Sequence, residues 1–414
     1  MKWLQCLTAM FGLIAMLAGP TSAQVAPAKP VKGPYLLADA QTGTVYKHFD
    51  ALRPWYPAST TKLMTIYTTF RAIAAGELTL ESPVIYTANA AAQPASKMGF
   101  KPGTTLTVDN ALKIMMVKSA NDIAVAVAET VADSVPGFAE RMNGEARRLG
   151  MSRSNFVNPH GLPDERQVTT VRDMAVLARA LLTEFPQHRQ YLNIHAIEIG
   201  GKTLKNYNTL LDRYPGATGM KTGFICASGY NLVASARRGE RELIAVVFGE
   251  YGGIARAEHA AALLEEGFRW VGVTDANQAT LADVSSGNTY ATPIDMRPYV
   301  CAPQQKATAS EANLDSASAV AEPVEPVSLL GLPVYMGPPV AVSVIAPATP
   351  AKFGEPGYSA RLPKPRPPLP TDPDPDQFVD AFAPANSPAG QTAPAQAIGS
   401  AAGAPLPLVG VSPN

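Results

Sequence analysis

The spacing of apolar and polar positions marks residues 33–273 as the folded part of the chain. Two short runs, Tyr35-Leu36-Leu37-Ala38-Asp39 and Val45-Tyr46-Lys47-His48, predict strands joined by a turn at Thr42-Gly43. A helix is expected to start near Ser59 and to carry Met64, Ile66 and Phe70 on its buried face. Apolar residues recur at helical spacing in 108–117, 122–132, 138–149 and 172–182, and again in a final helix over 256–271. Strand-like runs cover 230–236 and 243–248. Strands at both ends with helices between them predict one α/β domain of the α+β type, its sheet assembled from both ends of the segment around an inserted helical region.

The flanking regions lack these periodicities. Lys2, an apolar run from Leu7 to Ala18 and the small residues Thr21-Ser22-Ala23 form the pattern of a secretory signal peptide, expected over 1–23 with cleavage after Ala23. A linker follows over 24–32. Beyond residue 273 the composition shifts: 24 of the 38 prolines fall in 276–414. Proline removes backbone donors and breaks helix and sheet alike. Residues 274–414 are therefore expected to be a largely disordered Pro/Ala-rich tail. The apolar stretches at 327–335 and 340–345 are its candidates for small strands or docking segments.

Composition narrows the chemistry. The formal net charge is zero and there is no long basic stripe, so nucleic acid is not expected as a partner. No Cys/His spacing suits zinc, and no cofactor or metal is expected. Cys226 lies in an apolar strand-like segment and Cys301 in a Pro-rich one. Both are expected as unpaired thiols, with Cys226 a small buried side chain.

Three short motifs carry candidate chemistry. Ser59 and Lys62 fall on one face if Ser59 opens a helix. A serine hydroxyl needs a base nearby, and a lysine serves only if desolvation or a second positive charge keeps it neutral. Ser119 and Asn121, in Lys118-Ser119-Ala120-Asn121-Asp122, lie between two helical runs. They suit helix caps, or a loop facing the Ser59 helix. Lys221, Thr222 and Gly223 are expected at a strand start, where charge, a hydroxyl and an uncovered backbone suit an anionic, peptide-like ligand. Each motif alone is weak evidence.

Together and in this order, Ser-x-x-Lys, Ser-x-Asn and Lys-Thr-Gly resemble the active-site serine penicillin-recognising enzymes. Tyr56-Pro57-Ala58-Ser59-Thr60-Thr61-Lys62-Leu63-Met64-Thr65, Asn158-Pro159-His160-Gly161-Leu162-Pro163 and Gly216-Ala217-Thr218-Gly219-Met220-Lys221-Thr222-Gly223-Phe224 narrow this, with Ser228-Gly229-Tyr230-Asn231-Leu232. Over 33–273 the chain is similar to the serine D-alanyl-D-alanine carboxypeptidases of peptidase family S11. The resemblance implies a transpeptidase/β-lactamase-like fold, an antiparallel sheet flanked by helices. It implies Ser59 as acyl-enzyme nucleophile, Lys62 as proton acceptor and Ser119 as relay to the leaving amine. Asn121 would orient Lys62 and the substrate amide. Lys221 and Thr222 would hold the substrate carboxylate, with Gly223 beside them. The backbone N–H groups of Ser59 and Phe224 would form the oxyanion hole. Peptidoglycan stem peptides are the implied substrates, and β-lactam antibiotics the implied inhibitors.

Other residues fit less central roles. His160 is expected to be structural, and Arg256 to form a surface ion pair rather than reach a substrate carboxylate. The tail has no terminal stretch with a basic polar face and an aromatic apolar face. A soluble periplasmic enzyme is expected, and peripheral association with membrane or cell wall stays open. A serine β-lactamase shares the fold and acylation step, with Asp164 and Glu165 as its acidic candidates. A non-catalytic peptidoglycan-binding protein is the alternative from another class.

Overall fold

A computed structural model describes residues 31–270, 278–284, 292–301, 329–331 and 338–345. The expected signal peptide and most of the expected disordered tail lie outside the described residues.

The first strands are β1 (Tyr35–Asp39) and β2 (Val45–Phe49). A 3-10 turn (Ala58–Thr61) leads directly into α1 (Lys62–Ala74). The helical region adds β3 (Pro83–Ile85), α2 (Ala88–Ala92), β4 (Thr105–Thr107), α3 (Val108–Lys118), α4 (Asn121–Ala132), α5 (Val135–Arg148) and α6 (Val171–Glu184). A hairpin of β5 (Ala196–Ile199) and β6 (Lys202–Lys205) and the short α7 (Leu210–Arg213) lead to three long strands. These are β7 (Ala217–Ile225), β8 (Gly229–Arg238) and β9 (Arg241–Glu250), followed by α8 (Gly253–Arg269). The last described elements are α9 (Arg297–Val300) and β10 (Val340–Ala341).

The main sheet is antiparallel with strand order β2-β1-β9-β8-β7. The first strand of the domain pairs with the last, Tyr35 opposite Val247 and Asp39 opposite Leu243. This is the expected sheet built from both ends. Both of its faces are covered. Leu36, Ala38, Val233, Ile244 and Val246 point into the larger core with the helical region. Their alternates Tyr35, Leu37, Leu232, Ala234 and Val247 pack against Ala257, Ala260 and Leu264 of α8. A period of two thus serves two cores, which is why these strands read as continuous apolar runs. A tight turn at Gly239, with φ +62, closes the β8–β9 hairpin.

α1 buries ten of its thirteen residues and is the central helix of the domain. A helix buried on nearly every side belongs inside a core. α3 is capped by the Thr107 side chain and α6 by that of Thr170.

Three expectations need correction. The Lys221-Thr222-Gly223 motif is not at a strand start. It sits in the middle of β7, whose Gly-rich beginning gives little strand signal in sequence. The packed unit does not stop at residue 273. Thr280 bridges to Thr44, Met296 is fully buried, and Val340–Ala341 pairs with β5. The 340–345 stretch is thus a small strand and docking segment, as its apolar pattern allows, and Ile345 bridges to Thr105. Finally, Cys226 and Cys301 are not free thiols. They form a disulfide across 75 residues of sequence, because the 292–301 segment folds back onto the β7–β8 turn. Nothing local to either cysteine announces that return.

Candidate active site

Pro57 ends the extended approach to the 3-10 turn, and the turn is fixed by its own polar groups. The Thr60 hydroxyl donates to Pro57 O at 2.7 Å. Ala58 is held at φ +48, an uncommon value for a residue with a Cβ. Ser59 follows it and is partly exposed, whereas Ala58, Thr60 and Thr61 are buried. The turn therefore presents one hydroxyl to solvent at the mouth of the core.

Lys62 begins α1 one turn later, and its side chain is fully buried. Its Nζ donates to Ser59 Oγ at 2.9 Å, to Asn121 Oδ1 at 2.8 Å and to the His160 carbonyl at 2.9 Å. Three parts of the chain far apart in sequence converge on one ammonium nitrogen. Removal from water disfavours the charged form, and the three acceptors oppose that effect.

Ser119 ends α3 in the left-handed conformation, at φ +59. This sharp reversal lets α4 start at Asn121 with its side chain aimed back at α1. Asn121 Nδ2 donates to Pro94 O at 3.1 Å, so the amide that serves Lys62 cannot swing away. Ser119 is 3 % exposed and its hydroxyl has no hydrogen-bond partner. A buried hydroxyl without a protein partner costs free energy.

β7 lies at the edge of the sheet and its middle faces the Ser59 turn. A Cβ on Gly223 would come within 2.9 Å of Pro57 O, Ser59 N and Thr60 N. The glycine is thus required by the close approach of strand and turn. Lys221 is buried and donates to the Thr222 carbonyl at 3.1 Å. The Thr222 hydroxyl, also buried, has no partner. The expected site residues Ser59, Lys62 and Asn121 are joined by hydrogen bonds, and Gly223 brings the strand of Lys221, Thr222 and Phe224 against them.

His160 is structural, but its backbone is part of the site. The loop around it is pinned to α1 by the Thr65 hydroxyl on Pro159 O at 2.6 Å. A side chain on Gly161, at φ +84, would strike the Ala58 carbonyl. Burial and the nearby Lys62 charge push the His160 imidazole down to about 3. Its Nδ1 accepts from the Leu162 amide at 3.1 Å, which fits a neutral ring.

Arg256 is buried rather than placed on the surface as expected. It is 3 % exposed and turned beneath the sheet. It donates to Gly223 O and Asn231 O, each at 3.4 Å, and lies over the Tyr230 ring. Of the acidic pair considered for a β-lactamase, Asp164 is bound to Arg166 at 2.8 Å and Glu165 is exposed.

Asn231 has a role that the sequence reading does not assign. It is fully buried in β8. Its Nδ2 donates to Tyr56 O at 2.9 Å and Pro57 O at 3.2 Å, while Oδ1 accepts from Gly249 N at 3.0 Å. One amide ties the Ser59 turn to two strands. A lone Asn inside the apolar run Tyr230-Asn231-Leu232-Val233 was the signal for it.

Comparison with known proteins agrees with this geometry. The family model for D-alanyl-D-alanine carboxypeptidase, Peptidase_S11, matches residues 22–252. D-alanyl-D-alanine carboxypeptidase DacC of Escherichia coli is 35% identical over 57% of this chain and 61% of its own length. DacF of Bacillus subtilis is 33% identical over 52% and 56%. The chain thus spans about three fifths of these curated relatives. Among solved structures, penicillin binding protein 6B from Escherichia coli matches with a TM-score of 0.55 at 32% identity, covering 59% of this chain and 80% of that one. Penicillin-Binding Protein D2 from Listeria monocytogenes in its ampicillin-bound form matches with 0.50 at 26%, covering 57% and 97%. Similarity to these solved structures, a lysine bridging serine and asparagine, and a family model over more than half the chain leave one conclusion: this chain belongs to the D-alanyl-D-alanine carboxypeptidase family, peptidase S11.

Proposed function

We propose that the protein is a serine carboxypeptidase that removes the terminal D-alanine from peptidoglycan stem peptides, and that β-lactams acylate the same serine. The observation that carries this reading is the Lys62 ammonium nitrogen held between Ser59 Oγ and Asn121 Oδ1. With Lys62 neutral, the same contact runs in reverse. Ser59 Oγ attacks the carbonyl carbon of the penultimate D-alanine while its proton passes to Lys62 Nζ. Negative charge develops on the carbonyl oxygen, where the Ser59 and Phe224 amides can receive it. The C–N bond then breaks as a proton reaches the departing amine by way of Ser119. Water hydrolyses the ester and frees Ser59.

Two of the unpartnered buried hydroxyls, those of Ser119 and Thr222, support this assignment. Ser119 lies beside Asn121, and Thr222 lies beside Lys221, where a substrate carboxylate would supply the missing acceptor. An extended peptide laid along the open edge of β7 would have its backbone groups met by those of the strand.

The enzyme is proposed to work outside the cytoplasm, in the periplasm. The Cys226–Cys301 bond supports this, since such bonds persist in oxidising compartments. The apolar segment at 7–18 supports it as well. Among the described residues no helix is long and apolar enough to cross a membrane.

A fluorescent penicillin and a peptide ending in D-Ala-D-Ala test the reading together. Stable labelling at Ser59 with release of D-alanine is the expected result. Lys62→Met should slow labelling by about 10²–10⁴-fold, the range for loss of a proton acceptor. Rapid penicillin turnover without D-alanine release would replace the reading with a β-lactamase. Neither labelling nor release would leave a binding protein.

A further inference from the structure

The 292–301 segment returns beside the end of β7, and three different contacts hold it. Cys301 is bonded to Cys226, two residues past Phe224. The Met296 amide donates at 3.1 Å to Ala227 O, between β7 and β8, and the Met296 side chain is fully buried. Val300 and Cys301 pack on an apolar cluster of Phe224, Cys226 and Tyr230. Within that cluster the Phe224 and Tyr230 rings are 4.3 Å apart. The segment therefore forms a strap over the end of β7, from the β7–β8 turn to the Phe224 side chain.

The strap lies where β7 most needs support. β7 is an edge strand, paired in the sheet with β8 alone. Gly223 fits against the Ser59 turn with no room for a Cβ. The next residue, Phe224, offers the second oxyanion amide, and its side chain is the part that the strap covers. Gly223 fixes that amide from the nucleophile side, and the strap fixes it from behind.

We propose that the 292–301 strap, locked by the Cys226–Cys301 bond, is a positioning element for the Phe224 amide in the acylation of Ser59. The proposal rests on the reading of Ser59 as the acylated nucleophile. An oxyanion donor acts on charge present only at the tetrahedral stage. Its displacement therefore lowers the limiting rate and leaves ligand affinity largely alone. A strap that merely contributed stability would lower the melting temperature without that signature.

The test compares the full chain with its Cys226→Ala/Cys301→Ala variant, using stopped-flow labelling by a fluorescent penicillin across a concentration range. Thermal melts of both proteins fix a working temperature well below either transition. The expected result is a limiting acylation rate about tenfold lower, in keeping with the steep cost of small misplacements, with the half-saturating concentration little changed. An unchanged limiting rate overturns the proposal, whatever the melting temperature does. So does an effect confined to half-saturation, which would make the strap a ligand contact. Should the variant not fold, the native protein opened with a phosphine reductant supplies the same measurement. Each disulfide then yields two thiols while the phosphine takes an oxygen atom from water, and thiol titration confirms the opening. Failure of the disulfide-bonded protein itself to label at Ser59 would sink the nucleophile reading and the proposal with it. Equal rates in the bonded and opened forms would sink the strap alone.

Discussion

A Cβ built on Gly223 would stand 2.9 Å from the Ser59 amide nitrogen, and Pro57 O and Thr60 N are equally close. All three are backbone atoms, so no side chain can swing aside to relieve the clash. Gly223→Ala should push β7 off the nucleophile turn. The expected outcome is acylation slowed by about 10²-fold, the scale set by ångström misplacement of reacting groups. Penicillin labelling kinetics would show it. Labelling at the wild-type rate would mean that strand and turn separate without consequence.

Thr222 and Ser119 allow a separation of function from stability. Each carries a buried hydroxyl with no partner. Removing an unsatisfied polar group costs the fold little and can stabilise it. Thr222→Val and Ser119→Ala should therefore melt at or above the wild-type temperature. D-alanine release should nonetheless fall at least about tenfold in each, the usual scale of one lost proton relay or charge-assisted hydrogen bond. A drop in both melting temperature and activity would instead assign these hydroxyls to the fold.

Asn231 should behave in the opposite way. Asn231→Ala leaves Tyr56 O and Gly249 N without their side-chain partner in a buried place. A loss of about 1–3 kcal/mol in stability is expected for each such group left unsatisfied, read by urea denaturation. Labelling of Ser59 should slow as well, since the turn loses its tie to the sheet. Full stability in the variant would show that the tie is dispensable.

His160 makes stability depend on pH in a definite sense. Its folded-state value is pushed down to about 3, from an ordinary 6.5. Above pH 6.5 the ring is neutral in both states and adds no slope. As the pH falls below 6.5 the unfolded chain takes up a proton that the folded one refuses. Stability then drops by about 1.4 kcal/mol per pH unit until the folded-state value is reached. His160→Asn offers a non-titrating acceptor for the Leu162 amide. Denaturation curves at several pH values should show the variant losing less stability than the wild type between pH 6 and about 4. Parallel loss in both proteins would remove His160 as the cause.

Much of the fold is legible from periodicity. β1, β8 and β9 are largely apolar runs because both faces of the sheet are covered there. α3 to α6 announce themselves by spacing, and side chains of Thr107, Ser134 and Thr170 cap α3, α5 and α6. β7 escapes, since Gly219 and Gly223 dilute its strand pattern. Its glycines are there for tertiary reasons that local propensity cannot express, above all the approach of Gly223 to the Ser59 turn.

By itself the sequence determined the chemical parts: a serine and a lysine one helical turn apart, a Ser-x-Asn step between two helices, and a Lys-Thr-Gly run. Those are short-range patterns, set by residue type and spacing. Only the tertiary structure decided what surrounds them. It placed the His160 carbonyl on Lys62, turned Arg256 beneath the sheet, and made Asn231 the tie of the nucleophile turn. It also brought Cys301 back to Cys226 across 75 residues. Such contacts join segments whose separation along the chain says nothing of their distance in space. They depend on how two packed cores route the backbone, and that routing is a property of the whole domain.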